Sequence, residues 1–223
     1  MTEPEPVPFR LAQQELRRAI VDVGRRMWQR ELVSANDGNI SVRLDANRVL
    51  FTPTMVSKGA MTEGMLAITD LDGALLDPGT GGGPSSERRM HLGIYREDPS
   101  VEAVVHAHPP YATAFAIRGE ALSAQLLPEI VVALPTVPLA PYATPSTDDV
   151  PLSVRPLVRD HRACLLEQHG ALSWGADLES AYLTMERIEY SARMLFTLRQ
   201  LGEVRELDEI KIAGIRRQFG IAP

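Results

Sequence analysis

The chain has 223 residues, 44% of them hydrophobic, enough for a single domain over residues 1–223 with a sizeable core, residues 1–8 reading as a flexible tail. Its 23 lysines and arginines against 29 aspartates and glutamates give a net charge of −6 without a basic stripe, which argues against a nucleic-acid partner. The apolar stretch 130–143 is broken by Pro135, Pro138 and Pro141 and is too short to span a membrane, residues 1–6 lack the features of a secretory signal, and Cys164 has no disulfide partner, so a cytoplasmic protein is expected.

Leu16, Ile20, Val23 and Met27 recur at helical spacing, which predicts an amphipathic helix over residues 9–31. Asn36-Asp37-Gly38-Asn39 then turns the chain. Residues 40–44 and 49–52 read as paired strands around Asp45-Ala46-Asn47, and residues 66–70 as a further strand. The glycine-rich stretch 77–83 reads as a mobile loop. A helical pattern through Met90, Ile94 and Tyr95 follows, then a strand ending near His106 and a helix over 110–118. A strand near 130–134, a helix over 149–159 and strands flanking His169 continue the alternation. Ala181, Met185, Ile188, Ala192 and Leu195 mark a long helix, and a last one is expected over 207–218. Strands and helices without regular βαβ spacing favour an α/β fold, a mixed sheet covered by helices.

His106 and His108 stand one residue apart at the end of an apolar run. A strand repeats every two residues, so the two imidazoles would share a face and one cation. His169, after a second buried run, supplies a third ligand. Three histidines with an open position suit catalytic zinc, whereas closed structural sites draw on cysteines and this chain has one. Upstream of both strands lies a separate cluster, Pro84-Ser85-Ser86-Glu87, after Gly79-Thr80-Gly81-Gly82-Gly83. Hydroxyls and free N–H groups at a helix start bind anions, and Glu87 in the first turn is placed to act as a base. Read alone, the same segment is equally an ordinary capped helix after a loop.

Six segments in order, Gly38-Asn39-Ile40-Ser41-Val42-Arg43, Thr52-Pro53-Thr54, Pro84-Ser85-Ser86-Glu87, His106-Ala107-His108-Pro109, Ala140-Pro141-Tyr142-Ala143-Thr144 and His169-Gly170, resemble the class II aldolase/adducin family from about residue 10 to 200. The resemblance implies a three-layer α/β/α sandwich with a mixed central sheet, assembled as a homotetramer with active sites between subunits. It implies a divalent metal, zinc foremost with manganese or cobalt possible, on His106, His108 and His169, stabilising an enediolate by Lewis acidity. Glu87 would be the general acid/base, and Asn39, Thr54, Ser85 and Ser86 would hold a substrate phosphate. The implied reaction is retro-aldol cleavage of a ketose 1-phosphate or related hydroxy-ketone, with no Schiff-base role for Lys58 or Lys211.

Two positions depart from the pattern. Family aldolases commonly follow Thr-Pro-Thr with glycine, where this chain has Met55, a side chain that would reshape the phosphate pocket. A tyrosine that donates a proton from a neighbouring subunit has no counterpart near Pro128-Glu129-Ile130, which leaves Glu129 for that role. An unphosphorylated hydroxy-ketone or a 2-keto acid therefore remains open as substrate. So do the decarboxylase-like relatives and the sugar-phosphate 4-epimerases, although the latter usually carry aspartate where Glu87 stands. A non-catalytic module like the adducin head would have lost the histidines. Tyr142 is expected at an interface or pocket wall, His161 in solvent, and His91, one helical turn from Glu87, bonded to it or merely packed. Asp37 and Gln168 are open as substrate contacts.

Overall fold

The computed structural model describes residues 7–221, with side chains from residue 12 onward. Helix α1 (Val7–Gln29) opens the described residues and takes in Val7 and Pro8 of the tail expected over 1–8, whose residues 1–6 lie outside the described residues. Strands β1 (Asn39–Arg43) and β2 (Arg48–Phe51) form the expected hairpin, and β3 (Ala67–Asp70) and β4 (Leu75–Asp77) extend the sheet outward. Helix α2 (Arg88–Glu97), β5 (Ala103–Ala107) and α3 (Pro110–Ile117) follow. Next come α4 (Pro128–Ala133), the two-residue β6 (Leu139–Ala140) and α5 (Asp149–Val154). The hairpin β7 (Ala163–Leu166) and β8 (Gly170–Gly175) leads into α6 (Leu178–Leu201) and α7 (Glu209–Gln218).

The eight strands form one mixed sheet in the order β4-β3-β2-β1-β5-β8-β7-β6, antiparallel throughout except at β6 and β7. Its two faces bury separate cores, which makes three layers. Ile40, Val42, Val105 and Ala171 pack with residues of α1, α3 and α6, whereas Phe51, Val104, Leu172 and Trp174 pack with residues of α2 and α5. Period-two alternation sets this division, since neighbouring residues of a strand face opposite layers. Asn39, Ser41, Thr69, His106 and Ser173 are the polar exceptions, buried among strand residues. No described helix is long and apolar enough to cross a membrane.

Three expectations are corrected. Residues 130–134 belong to helix α4, not a strand; Pro128 at its first turn presets helical φ, which outweighs the β-branched Ile130, Val131 and Val132. The helix expected over 149–159 stops at Val154 and tightens into a 3₁₀ turn at Arg155–Leu157 around Pro156. The glycine-rich stretch 77–83 is packed rather than loose. Thr80 N donates to Gly64 O at 2.8 Å, and a Cβ on Gly79 would stand 2.5 Å from Leu66 O.

Candidate active site

The site forms where β1, β5 and the β7–β8 hairpin end beside the start of α2. In the β1–β5 pairing Asn39 lies opposite His106. His108 falls one residue past β5, yet its Nε2 comes within 3.0 Å of His106 Nε2. His169 sits in the hairpin turn, its N–H donating to Leu166 O at 3.0 Å. Gly170 permits this closeness, because a Cβ there would meet Ala107 O at 2.5 Å and His108 Cδ2 at 2.7 Å. One nitrogen from each of the three rings lies within 4.8 Å of the others, a group able to hold a metal ion. Two ligands of a tetrahedral zinc with bonds of about 2.0–2.1 Å stand roughly 3.3 Å apart, so the spacing of His106 and His108 suits one cation.

Protonation suits it as well. His106 is fully enclosed and held well below the ordinary histidine pKa by burial first and by His108 and His169 next; burial likewise lowers His169. Neutral imidazoles keep a lone pair for a metal. His106 Nδ1 lies 2.9 Å from Ala171 O and donates there, which leaves Nε2 as the free acceptor.

Glu87 completes the cluster. It occupies the N-cap of α2 rather than the first turn, and its side chain makes no capping bond, so the carboxylate points into the site. Oε2 accepts from Asn39 Nδ2 at 2.9 Å and lies 3.4 Å from His106 Nε2, while Oε1 lies 3.3 Å from His169 Nε2. A carboxylate astride two candidate ligands is placed to exchange a proton with whatever a cation holds there.

The four residues expected to grip an anion are brought together unevenly. Segments 52–54 and 83–85 run side by side, with Thr54 N donating to Gly83 O at 3.0 Å and Ser85 N to Thr52 O at 3.1 Å. Ser85 is buried and its hydroxyl accepts from Glu87 N at 3.2 Å; Ser86 is exposed. Asn39 Oδ1 is buried without a hydrogen-bond partner. Met55 holds the left-handed φ of 56° that glycine would adopt freely, and it is 78% exposed.

Other candidates fall elsewhere. His91 bonds Ser41 Oγ through Nδ1 at 2.7 Å, not Glu87. Glu129 is exposed on α4 and lines a cleft of about 240 Å³ with Arg187 and Phe219, apart from the histidines within one chain. Tyr142 is exposed, its N–H donating to Glu167 Oε2 at 2.9 Å, and Gln168 Nε2 donates to Ile117 O at 2.8 Å. Asp37, left open as a substrate contact, stands beside the cluster, its Oδ2 3.8 Å from His108 Nδ1.

Comparisons with known proteins identify the family. The family model for the class II aldolase and adducin N-terminal domain matches residues 18–196. A 3-oxo-tetronate 4-phosphate decarboxylase of Haemophilus influenzae is 32% identical, the match covering 93% of this chain and 98% of that one. An L-fuculose phosphate aldolase of Methanococcus maripaludis is 30% identical over 81% and 96% of the two chains. Among solved structures, YgbL of Escherichia coli, described as an aldolase/epimerase/decarboxylase, superposes with a TM-score of 0.84 at 30% identity over 92% and 99%. The chain belongs to the class II aldolase and adducin family.

Proposed function

We propose that this chain is a metal-dependent lyase that breaks a carbon–carbon bond beside a carbonyl of a phosphorylated, sugar-derived substrate. The observation that carries the reading is Glu87, astride His106 and His169 at 3.3–3.4 Å. His106, His108 and His169 would hold the metal, zinc foremost with manganese or cobalt as substitutes, and Asn39, Thr54, Ser85 and Ser86 the phosphate. When bound, the metal supplies Lewis acidity toward the substrate's carbonyl and neighbouring hydroxyl.

The bond we assign is that to the carboxylate of a 3-oxo sugar acid phosphate, as the resemblance to 3-oxo-tetronate 4-phosphate decarboxylases supports. Its electron pair passes into the adjacent carbonyl, carbon dioxide leaves, and Glu87 delivers a proton to the carbon left behind, giving a phosphorylated hydroxy-ketone. Retro-aldol cleavage of a ketose 1-phosphate is the second reading, favoured by the relatives named L-fuculose phosphate aldolase. There Glu87 moves a proton at the same kind of carbon, and Glu129 of a neighbouring subunit would serve the leaving aldehyde. In both readings residues 1–223 act as one domain, in a cytoplasmic homotetramer with the sites between subunits.

The test is turnover after remetallation, with metal content measured alongside. We expect near one metal per chain, carbon dioxide from 3-oxo-tetronate 4-phosphate, and loss of metal in His106→Ala. Glu87→Gln should keep the metal and lose roughly 10²- to 10⁴-fold in kcat. Aldehyde from a ketose 1-phosphate without carbon dioxide release would install the second reading. A protein that binds no metal under any condition would sink both.

A further inference from the structure

Lys58 is one of two lysines in the chain, and it is 1% exposed. Its ammonium donates to Asn36 O at 3.0 Å and Val56 O at 2.6 Å, both neutral acceptors. Burial lowers its pKa to about 8, against a smaller upward pull from Asp37. Among the described residues no carboxylate stands within ion-pair distance of it. A buried charge on neutral partners is an expensive way to join two turns, since a neutral donor would do so without the desolvation cost.

Its position suggests what the charge is for. Asn36 lies three residues before Asn39, and Val56 two residues after Thr54, so the ammonium ties together the two segments that lead to anion-binding groups. Asn36 Nδ2 also reaches Met55 Sδ at 3.5 Å, joining the same turns from outside. None of Asn39, Thr54, Ser85 and Ser86 is cationic, while Glu87 and Asp37 place two carboxylates beside the histidines. The two carboxylates offset the charge of a metal on the histidines, so Lys58 is the cation that stands with the phosphate turns themselves, and its field reaches as far as His106.

We propose that Lys58 is a positioning and specificity residue for anionic substrates, clamping the Asn36 and Val56 turns and supplying positive charge from beneath the pocket. The proposal rests on the reading of these turns as a phosphate site. It adds a cation that never touches the ligand and is invisible from the pocket surface.

Titration of the purified protein with inorganic phosphate, for wild type, Lys58→Met and Lys58→Gln, tests it. We expect both variants to fold, Lys58→Gln near the wild-type thermal midpoint because its amide can still donate to these carbonyls, and Lys58→Met lower because Asn36 O and Val56 O lose their donor. Phosphate should bind them at least about tenfold more weakly. With the phosphorylated substrate, KM should rise by a similar factor with kcat little changed. Equal phosphate affinities in the folded variants would overturn the inference and leave the lyase reading standing. Lys58-dependent phosphate binding without any metal-dependent turnover would do the reverse. If neither variant folds, or if the wild type binds no phosphate, the ammonium is structural and the inference falls.

Discussion

His91 is completely enclosed, its Nδ1 2.7 Å from Ser41 Oγ, whose other neighbour is Tyr95 OH at 2.8 Å. The Tyr95–Ser41–His91 chain can run in either direction, and His91 Nε2 is buried without a hydrogen-bond partner, a place where a second ring proton and its charge would go unsatisfied, so the imidazole is neutral. Burial holds the pKa down to about 3, with the neighbouring His106 ring acting in the same direction and Glu87 pulling weakly the other way. The unfolded chain binds this proton below about pH 6.5 and the folded chain does not, so acidification favours unfolding. Between pH 6.5 and 4 this one group should remove about 1.4 kcal/mol of stability per pH unit. Denaturant unfolding of wild type and His91→Asn at several pH values measures the difference, and parallel curves would refute the assignment. From sequence, His91 stood one helical turn from Glu87, and bonding and packing were indistinguishable. With Glu87 at the N-cap and His91 turned toward β1, a third partner, Ser41, takes the bond; only the β1–α2 packing decides that.

Elements were legible where one periodicity dominated. The alternation in β1 and β5 marks the strands because each has one face toward α6 and one toward α2, and the 3.6-residue stripe of α1 marks its buried side. The apolar run of α4 carries no such contrast, and the short edge strand β4, with Leu75 and Leu76 exposed, has no buried stripe to reveal it. The approach of the three histidines was legible only in part, since the His-x-His spacing is local whereas His169 arrives through the β7–β8 hairpin. Gly38 shows how closely elements are fitted there. Its φ is +73°, and a Cβ would stand 2.5 Å from Val33 Cγ1 and 2.9 Å from His106 O. We expect Gly38→Ala to cost about 1–3 kcal/mol by urea unfolding. Because the strain falls beside His106, metal affinity should drop as well; an unchanged midpoint would show that the turn relaxes freely.

Across the whole molecule, the site lies at the rim of the sheet rather than inside it. Leu32 O accepts from His108 N at 3.1 Å, and Leu32 and Pro110 also line a neighbouring cleft of about 410 Å³ with Arg30, Tyr111, Glu186 and Tyr190. Tyr190 and Phe196 are each 45% exposed, and Phe196 packs at a tilt against Tyr111, ring centroids 5.4 Å apart. Aromatic surface mixed with charge beside a catalytic rim fits a subunit boundary, where Tyr and Arg are favoured. This is how we account for Glu129, which lies apart from the histidines of its own chain and acts, in the aldol reading, on a neighbour's. Sedimentation should give a mass near four chains of 24.5 kDa. Tyr190→Glu, which buries a charge only in the assembly, should yield smaller particles and lower turnover while leaving the monomer's secondary structure intact. A wild type that stays monomeric at micromolar concentration with full turnover would show that each chain closes its own site, and would remove Glu129 from the chemistry.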